Sequence, residues 1–189
     1  MKMRTALLRP LLTTVLSGVL LSGCGFHLRD TAAVPSALQP LYIGGPVAGG
    51  ALGQAMRVQL SSVDTAVSPT IMGARYELRL LGEGYDQRDA SVDRRGLVAE
   101  YLLITSAEFA LYDQAGALVL GPVRVDERRS IFNDPDKATT TSEEIRLVRA
   151  DMEKVLAQRI ALRLTAYANQ LKKGAAAGAA ATPAATATP

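Results

Sequence analysis

The chain reads as an α+β domain: a two-layer sandwich in which a four-stranded, mostly antiparallel sheet carries two helices packed on one face, in the order β-α-β-β-β-α. Three observations carry this expectation. Apolar residues recur at three- and four-residue steps in two segments, 50–63 and 138–173. Between these segments, longer runs alternate apolar and polar residues, as strands with one wet face do. Two apolar helical stripes must cover something, and the dry face of a sheet is the economical surface for both.

Leu41-Tyr42-Ile43, bounded by Pro40 and by Gly44-Gly45-Pro46, is a short first strand. Leu52, Ala55, Met56, Leu60 and Val63 then form the stripe of a helix from about Gly50 to Val63. The second strand is announced by Tyr76, Leu78 and Leu80 alternating with Arg75, Glu77 and Arg79, and Gly82 and Gly84 mark a bulge or bend in it. After the turn Asp93-Arg94-Arg95-Gly96, Tyr101, Leu103, Thr105, Ala107, Phe109 and Leu111 share one side of a long strand near the sheet centre. Asp113-Gln114-Ala115-Gly116 supplies a hairpin loop, and the return strand contains Pro122. Proline cannot donate to a ladder, so that strand has a free edge or a bulge there. In the last helix, Ile145, Val148, Met152, Val155, Leu156, Ile160, Leu164, Tyr167 and Leu171 keep helical spacing. Thr141 with Glu144 forms a capping box, and Lys172, Lys173 and Gly174 suit its end. At 1.5 Å per residue the helix is about 45 Å long.

The only cysteine and the only histidine, Cys24 and His27, lie in Leu20–Asp30, LLSGCGFHLRD. Upstream are Lys2, Arg4 and Arg9, then an apolar-rich run from Leu11 to Leu21 that Thr13, Thr14, Ser17 and Gly18 interrupt. A membrane span needs about 20 apolar residues, so the run reads as a signal peptide, 1–23, removed on export. Leu21-Ser22-Gly23-Cys24 resembles the bacterial lipobox, in which the cysteine is acylated and becomes the first mature residue. Cys24 would then carry N-acyl and S-diacylglycerol chains. Two or more chains hold a protein stably at a membrane, whereas one binds only marginally. Gly25 follows, not the aspartate that often retains lipoproteins at the inner membrane, so the expected destination is the periplasmic face of the outer membrane. His27, between Phe26 and Leu28, belongs to a segment that packs against the body or a partner.

Three of the 21 Lys/Arg and none of the 18 Asp/Glu lie before Cys24, which turns a formal charge of +3 into neutrality after processing. Non-specific binding to nucleic acid is thereby disfavoured. The tail 174–189 carries no charge and nothing apolar larger than alanine, and is expected to be disordered. What remains, 24–173, suits a single lipid-anchored domain.

Candidate catalytic chemistry is thin. A lone histidine and a blocked thiol supply neither a nucleophile pair nor a zinc shell, and no G-x-S-x-G elbow, calcium loop or phosphate loop occurs. The reading is a non-enzyme without catalytic residues, metal or cofactor other than the lipid on Cys24.

CGFHLRD, VPSALQPLYI, RRGLVAEYLLITSAEFALYDQAG and RRSIFNDPDKATTTSEEIRLVRADMEKVLAQRIALRL, in this order, resemble the LptE family of LPS-assembly lipoproteins. The resemblance runs from Cys24 to about Leu171. It implies a protein that sits in the lumen of an LptD-type outer-membrane β-barrel in a 1:1 complex, helps assemble it, and binds lipopolysaccharide on its way to the outer leaflet. A polar lumen would suit a plug with interspersed charges of both signs. Two other classes stay open: an envelope scaffold or peptidoglycan-binding lipoprotein without a barrel partner, and a periplasmic hydrolase using a carboxylate pair.

Phosphates of such a glycolipid call for fixed arginine or lysine. Two clusters offer them: Arg94 and Arg95 in the turn before the third strand, and Arg128 and Arg129 with Lys137 near the end of the fourth. Adjacent strand residues point to opposite faces, which divides Arg128 from Arg129.

Overall fold

The computed structural model describes residues 34–134 and 138–180, with side chains over 34–134 and 142–174. Cys24, His27, Lys137 and the last nine residues of the tail lie outside the described residues. The elements are β1 (Leu41–Gly44), α1 (Ala51–Ser61), β2 (Tyr76–Val92), β3 (Val98–Asp113), β4 (Leu118–Phe132) and α2 (Ala138–Ala180). Their order is the expected β-α-β-β-β-α.

The sheet order is β1-β2-β3-β4, so β1 and β4 are the edges and β3 is internal. α1 returns the chain to the same end of the sheet, and β1 therefore runs parallel to β2, Leu41 opposite Tyr76. The hairpins make β2–β3 and β3–β4 antiparallel. Both helices cover one face. Leu41 and Ile43, Leu78 and Leu80, Phe109 and Leu111, and Val125 meet Leu52, Met56 and Leu60 of α1 and Leu156, Ile160 and Leu164 of α2. Each such side chain contributes roughly 1.5–3 kcal/mol when fully buried.

The glycine signal in β2 marks a real irregularity. The ladder slips between Leu80 and Gly82, which takes the helix-facing positions from even to odd numbers. Leu78 and Leu80 face the core before the slip; after it Glu83 and Tyr85 lie opposite Ala107 and Thr105 on that face. A polar belt results, with Glu83, Thr105, Glu127 and Glu153 between the main core and a second cluster of Leu103, Ile131 and Met152. Arg149 spans the belt, pairing with Glu153 at 3.5 Å and lying 4.4 Å over the Tyr85 ring. At Pro122 both alternatives hold, since β4 is an edge and its ladder to β3 slips between Phe109 and Leu111.

Three boundaries differ from the sequence reading. α1 stops at Ser61, and Val63, the last member of its stripe, is buried in the loop beyond. α2 begins at Ala138, so Thr141 lies inside the helix and the capping box with Glu144 is not its start. The helix also passes Gly174, which is not left-handed, and reaches Ala180. Alanine has the best intrinsic helix propensity, and an alanine-rich stretch prolongs a helix that packing has already nucleated. By Leu171, 39 % exposed, α2 has outrun the surface it covers.

Candidate functional site

The two hairpin turns are built alike. In each, an aspartate opens a five-residue D-x-x-G-x turn, and glycine takes the left-handed conformation at the fourth position, Gly96 at φ +81° and Gly116 at φ +80°. The Asp93 carboxylate accepts the amides of Arg95 (2.8 Å) and Leu97 (3.0 Å), as Asp113 accepts those of Ala115 and Ala117. These side-chain bonds fix the turn where a ladder cannot.

This turn chemistry separates the two arginines of the β2–β3 tip. Arg95 Nε donates to Asp93 at 2.9 Å, so its charge is used within the turn. Hydrogen bonds from the Leu97 amide, then from the Arg95 guanidinium, hold the Asp93 carboxyl below the usual carboxylate range. Arg94 points to solvent and forms no ion pair among the described residues. Flanking the turn, Val92 and Leu97 are 63 % and 43 % exposed, and Phe132, at the end of β4 opposite Glu100, is 68 % exposed. The tip thus offers one free guanidinium beside apolar surface, the two chemistries of a phosphorylated lipid.

Arg128 and Arg129 fall on opposite faces, as strand alternation requires. Arg128 lies on the open face, 3.4 Å from Asp126. Arg129 faces α2, where it pairs with Asp151 at 2.7 Å and with Glu127 at 3.5 Å. Glu127 also binds Arg159, so this group ties the β4 edge to the helix. Arg128 is aligned with Ile104, six residues up β3 from Val98. At about 3.3 Å per residue that is some 20 Å from the tip, and the two clusters are separate sites.

The sequence reading missed two arrangements. On the open face, the carboxyl group of Glu77 is buried and held by Arg79 at 2.6 Å, whose guanidinium lies 4.1 Å over Tyr112. Gly44 makes room for it: a Cβ there would stand 2.4 Å from Glu77 Oε1. The second is a cleft of about 240 Å³ at the β4 edge, lined by Arg124, Val125, Asp126, Arg159, Leu162 and Arg163. Its arginines come from two elements 35 residues apart, which no local spacing shows. Among the described residues no group of three or more His, Cys, Asp or Glu could hold a metal ion. None of their helices is long and apolar enough to cross a membrane.

A profile of the LptE family, described as lipopolysaccharide-assembly, matches residues 33–164, all four strands, α1 and α2 as far as Leu164. The chain is 34 % identical to the LPS-assembly lipoprotein LptE of Yersinia enterocolitica over 148 residues, 76 % of this chain and 69 % of that protein. It belongs to the LptE family. The LptE of Yersinia pestis is 32 % identical over 161 residues, 80 % of this chain and 73 % of its own. Among solved structures, the rare lipoprotein B of Shewanella oneidensis superposes with a TM-score of 0.61 at 25 % identity, covering 70 % of this chain and 98 % of that one. A minor lipoprotein of Acinetobacter baumannii shares the fold, with a TM-score of 0.55 at 21 % identity over 67 % of this chain and 90 % of its own. LptE is a lipopolysaccharide-assembly family and not a family of enzymes, which agrees with the non-enzymatic reading of the sequence.

Proposed function

We propose that this chain is an outer-membrane lipoprotein, anchored by acylated Cys24, that plugs and helps assemble an LptD-type β-barrel in a 1:1 complex and binds lipopolysaccharide during its insertion into the outer leaflet. The observation that carries the reading is the family match, which runs from before β1 through all four strands and α1 and into α2 as far as Leu164. The exposed surface supports it. Pairs of opposite charge, Asp86–Arg88, Asp93–Arg95 and Asp126–Arg128, stud the sheet, and charges of both signs suit a polar lumen. Arg94 at the hairpin tip is the leading contact for a lipid phosphate; Arg95 holds the turn that presents it.

The test is affinity purification of the full chain from outer membranes. A large β-barrel protein should accompany it at one copy per copy. Recovery of the chain alone, or with peptidoglycan and no barrel, would refute the plug.

A further inference from the structure

Residues 65–74, TAVSPTIMGA, contain no charge in a chain of which 21 % is charged, and Asp64 and Arg75 bound them. The fold turns the second half of this run into a loop with two buried feet. At one foot the Ser68 amide donates to the Leu41 carbonyl, and at the other the Arg75 amide donates to the Pro40 carbonyl, both at 2.8 Å. Ser68 and Ala74 are buried, and the five residues between them are all exposed. Inside the loop the Ser68 hydroxyl donates to the Thr70 carbonyl at 2.7 Å and accepts the Thr70 amide at 3.3 Å, while the Ala74 amide donates to the Ile71 carbonyl. These bonds hold the tip 69–73 as a formed wedge, with Ile71 53 % and Met72 90 % exposed. Exposed apolar residues of the helices stand beside a basic residue, Val58 by Arg57 and Leu162 by Arg163 among them; Ile71 and Met72 stand beside none.

Two further observations say what the tip meets. The Val34 amide donates to the Thr65 hydroxyl at 3.3 Å, and the Gln39 side chain bridges the Val34 carbonyl at 2.6 Å and the Ala66 amide at 3.0 Å. The chain that follows Cys24 therefore enters the domain at the start of the uncharged run. Ten residues separate Cys24 from Val34, a reach of at most about 33–36 Å when fully extended, so a lipid on Cys24 keeps the run close to a bilayer. The second observation is charge. Arg75, at the far foot, forms no ion pair among the described residues. α2 runs towards the same end, Tyr167 lying near Tyr76 and Asp113, and beyond it Lys172 and Lys173 are exposed and likewise unpaired among the described residues. Of the acids there, Asp64 is exposed and Asp113 is engaged by the turn amides of Ala115 and Ala117. We propose that the loop 69–73 is a membrane contact, which seats Ile71 and Met72 in the headgroup region of a phospholipid leaflet and turns Arg75, Lys172 and Lys173 towards anionic phosphates. Apolar side chains bind an interface through the area they bury, and basic ones through attraction to anionic lipid. The anchor alone fixes a distance; the loop adds an orientation. The contact belongs to the free lipoprotein before a barrel encloses it, and it rests on the proposed function only for the lipid on Cys24.

The test reconstitutes the mature lipoprotein in vesicles of equal parts phosphatidylethanolamine and phosphatidylglycerol. With Cys24 acylated, Met72→Cys supplies the one free thiol for a nitroxide label, whose depth is read from its accessibility to oxygen and to a nickel chelate. The label should lie about 5–10 Å into the boundary between headgroups and acyl chains, while a Val92→Cys label, at the opposite end of β2, should read water. Ile71→Asp combined with Met72→Cys should return the label to water, and Arg75→Glu should move it outward on these vesicles but not on phosphatidylcholine. All these side chains are exposed, so the variants should melt with wild type. A Met72→Cys label as accessible to nickel as the Val92→Cys label would overturn the proposal. Spin–spin broadening between copies in detergent would overturn it too, by making the loop a contact with a second copy. Mass spectrometry of the N-terminal peptide keeps the anchor separate: a peptide without acyl chains would refute the anchor, and flotation of the chain with the same vesicles, kept in wild type and lost in Ile71→Asp, would still decide the loop.

Discussion

Gly53 lies in the first turn of α1, third of its eleven residues, where helix propensity alone makes alanine better by up to about 1 kcal/mol. The packing reverses that sign. A Cβ on Gly53 would stand 1.9 Å from the carbonyl oxygen of Ala48 and 2.5 Å from its carbonyl carbon, both backbone atoms. Ordinary carbon contacts begin near 3.5 Å, so helix and loop would have to part by about 1.5 Å. The loop resists. The Ala48 carbonyl accepts Arg57 Nη1 at 2.9 Å, its amide is bonded to Gly45, and its methyl is buried in the core. Overpacking costs about 1–3 kcal/mol, and loss of the part-buried Arg57 bond adds about 1 kcal/mol. Against the propensity gain, Gly53→Ala should destabilise by about 2 kcal/mol, lowering Tm by roughly 4–8 °C for a domain of this size. Thermal unfolding of the full chain by circular dichroism measures it, with Gly49→Ala, where a Cβ meets nothing within 4 Å, as the comparison. A Tm at or above wild type would show that α1 does not press on this loop, and the packing argument would fail.

Arg94→Asp should weaken lipopolysaccharide binding most at low ionic strength, where charge interactions are least screened; equal binding there would eliminate the hairpin tip as a contact. Leu156→Asp places a charge at a fully buried position between α2 and the sheet, at a cost of several kcal/mol against a total stability of roughly 5–15. Loss of folded protein is expected, and an unchanged Tm would contradict the core assignment. Desolvation first and Glu83 second raise the carboxyl of Glu153 above its usual range, with Arg149 opposing. A raised folded-state value means that the native state binds more protons than the unfolded chain, so stability is lost as pH climbs from the unfolded value through the folded one. Glu153→Gln should therefore melt higher than wild type at neutral pH, the gap closing as pH falls towards 4.5; no gap at neutral pH would refute the sign.

Periodicity made the fold legible because burial and period coincide over most of it. Met152, Leu156, Ile160 and Leu164 are completely buried at the positions their spacing assigns. It failed where the reference frame moves. The slip between Leu80 and Gly82 exchanges the faces of β2, and alternation read straight through from Tyr76 places Glu83 and Tyr85 on the wrong side. It failed again at the C-terminal end of α2, because cap signals state where a helix is permitted to stop, while an alanine-rich continuation decides that it does not. Of the candidate residues, the Arg94–Arg95 turn was visible as a turn. The division of labour inside it needed the Asp93 hydrogen bonds.

One signal that bears on the site was present in the sequence all along. Residues i and i+2 of a strand stand side by side on one face, some 6.6 Å apart along the chain, within reach of an arginine. Arg79, Arg88, Arg128 and Arg129 each have an acid two positions earlier in the strand, Glu77, Asp86, Asp126 and Glu127, and each is bonded to it; Asp93 and Arg95 keep the same spacing and bond within the turn. Arg75, Arg94 and Arg124 have Gly73, Val92 and Pro122 there instead. Net charge hides this distinction, since a neutral mature chain can have every cation matched or none. Spacing exposes it: the matched pairs add no net field around them, as the proposed place in a barrel lumen calls for, while the unmatched residues are the cations left to choose a ligand. One of those three, Arg94 at the hairpin tip, occupies the position at which the proposed function requires a free guanidinium.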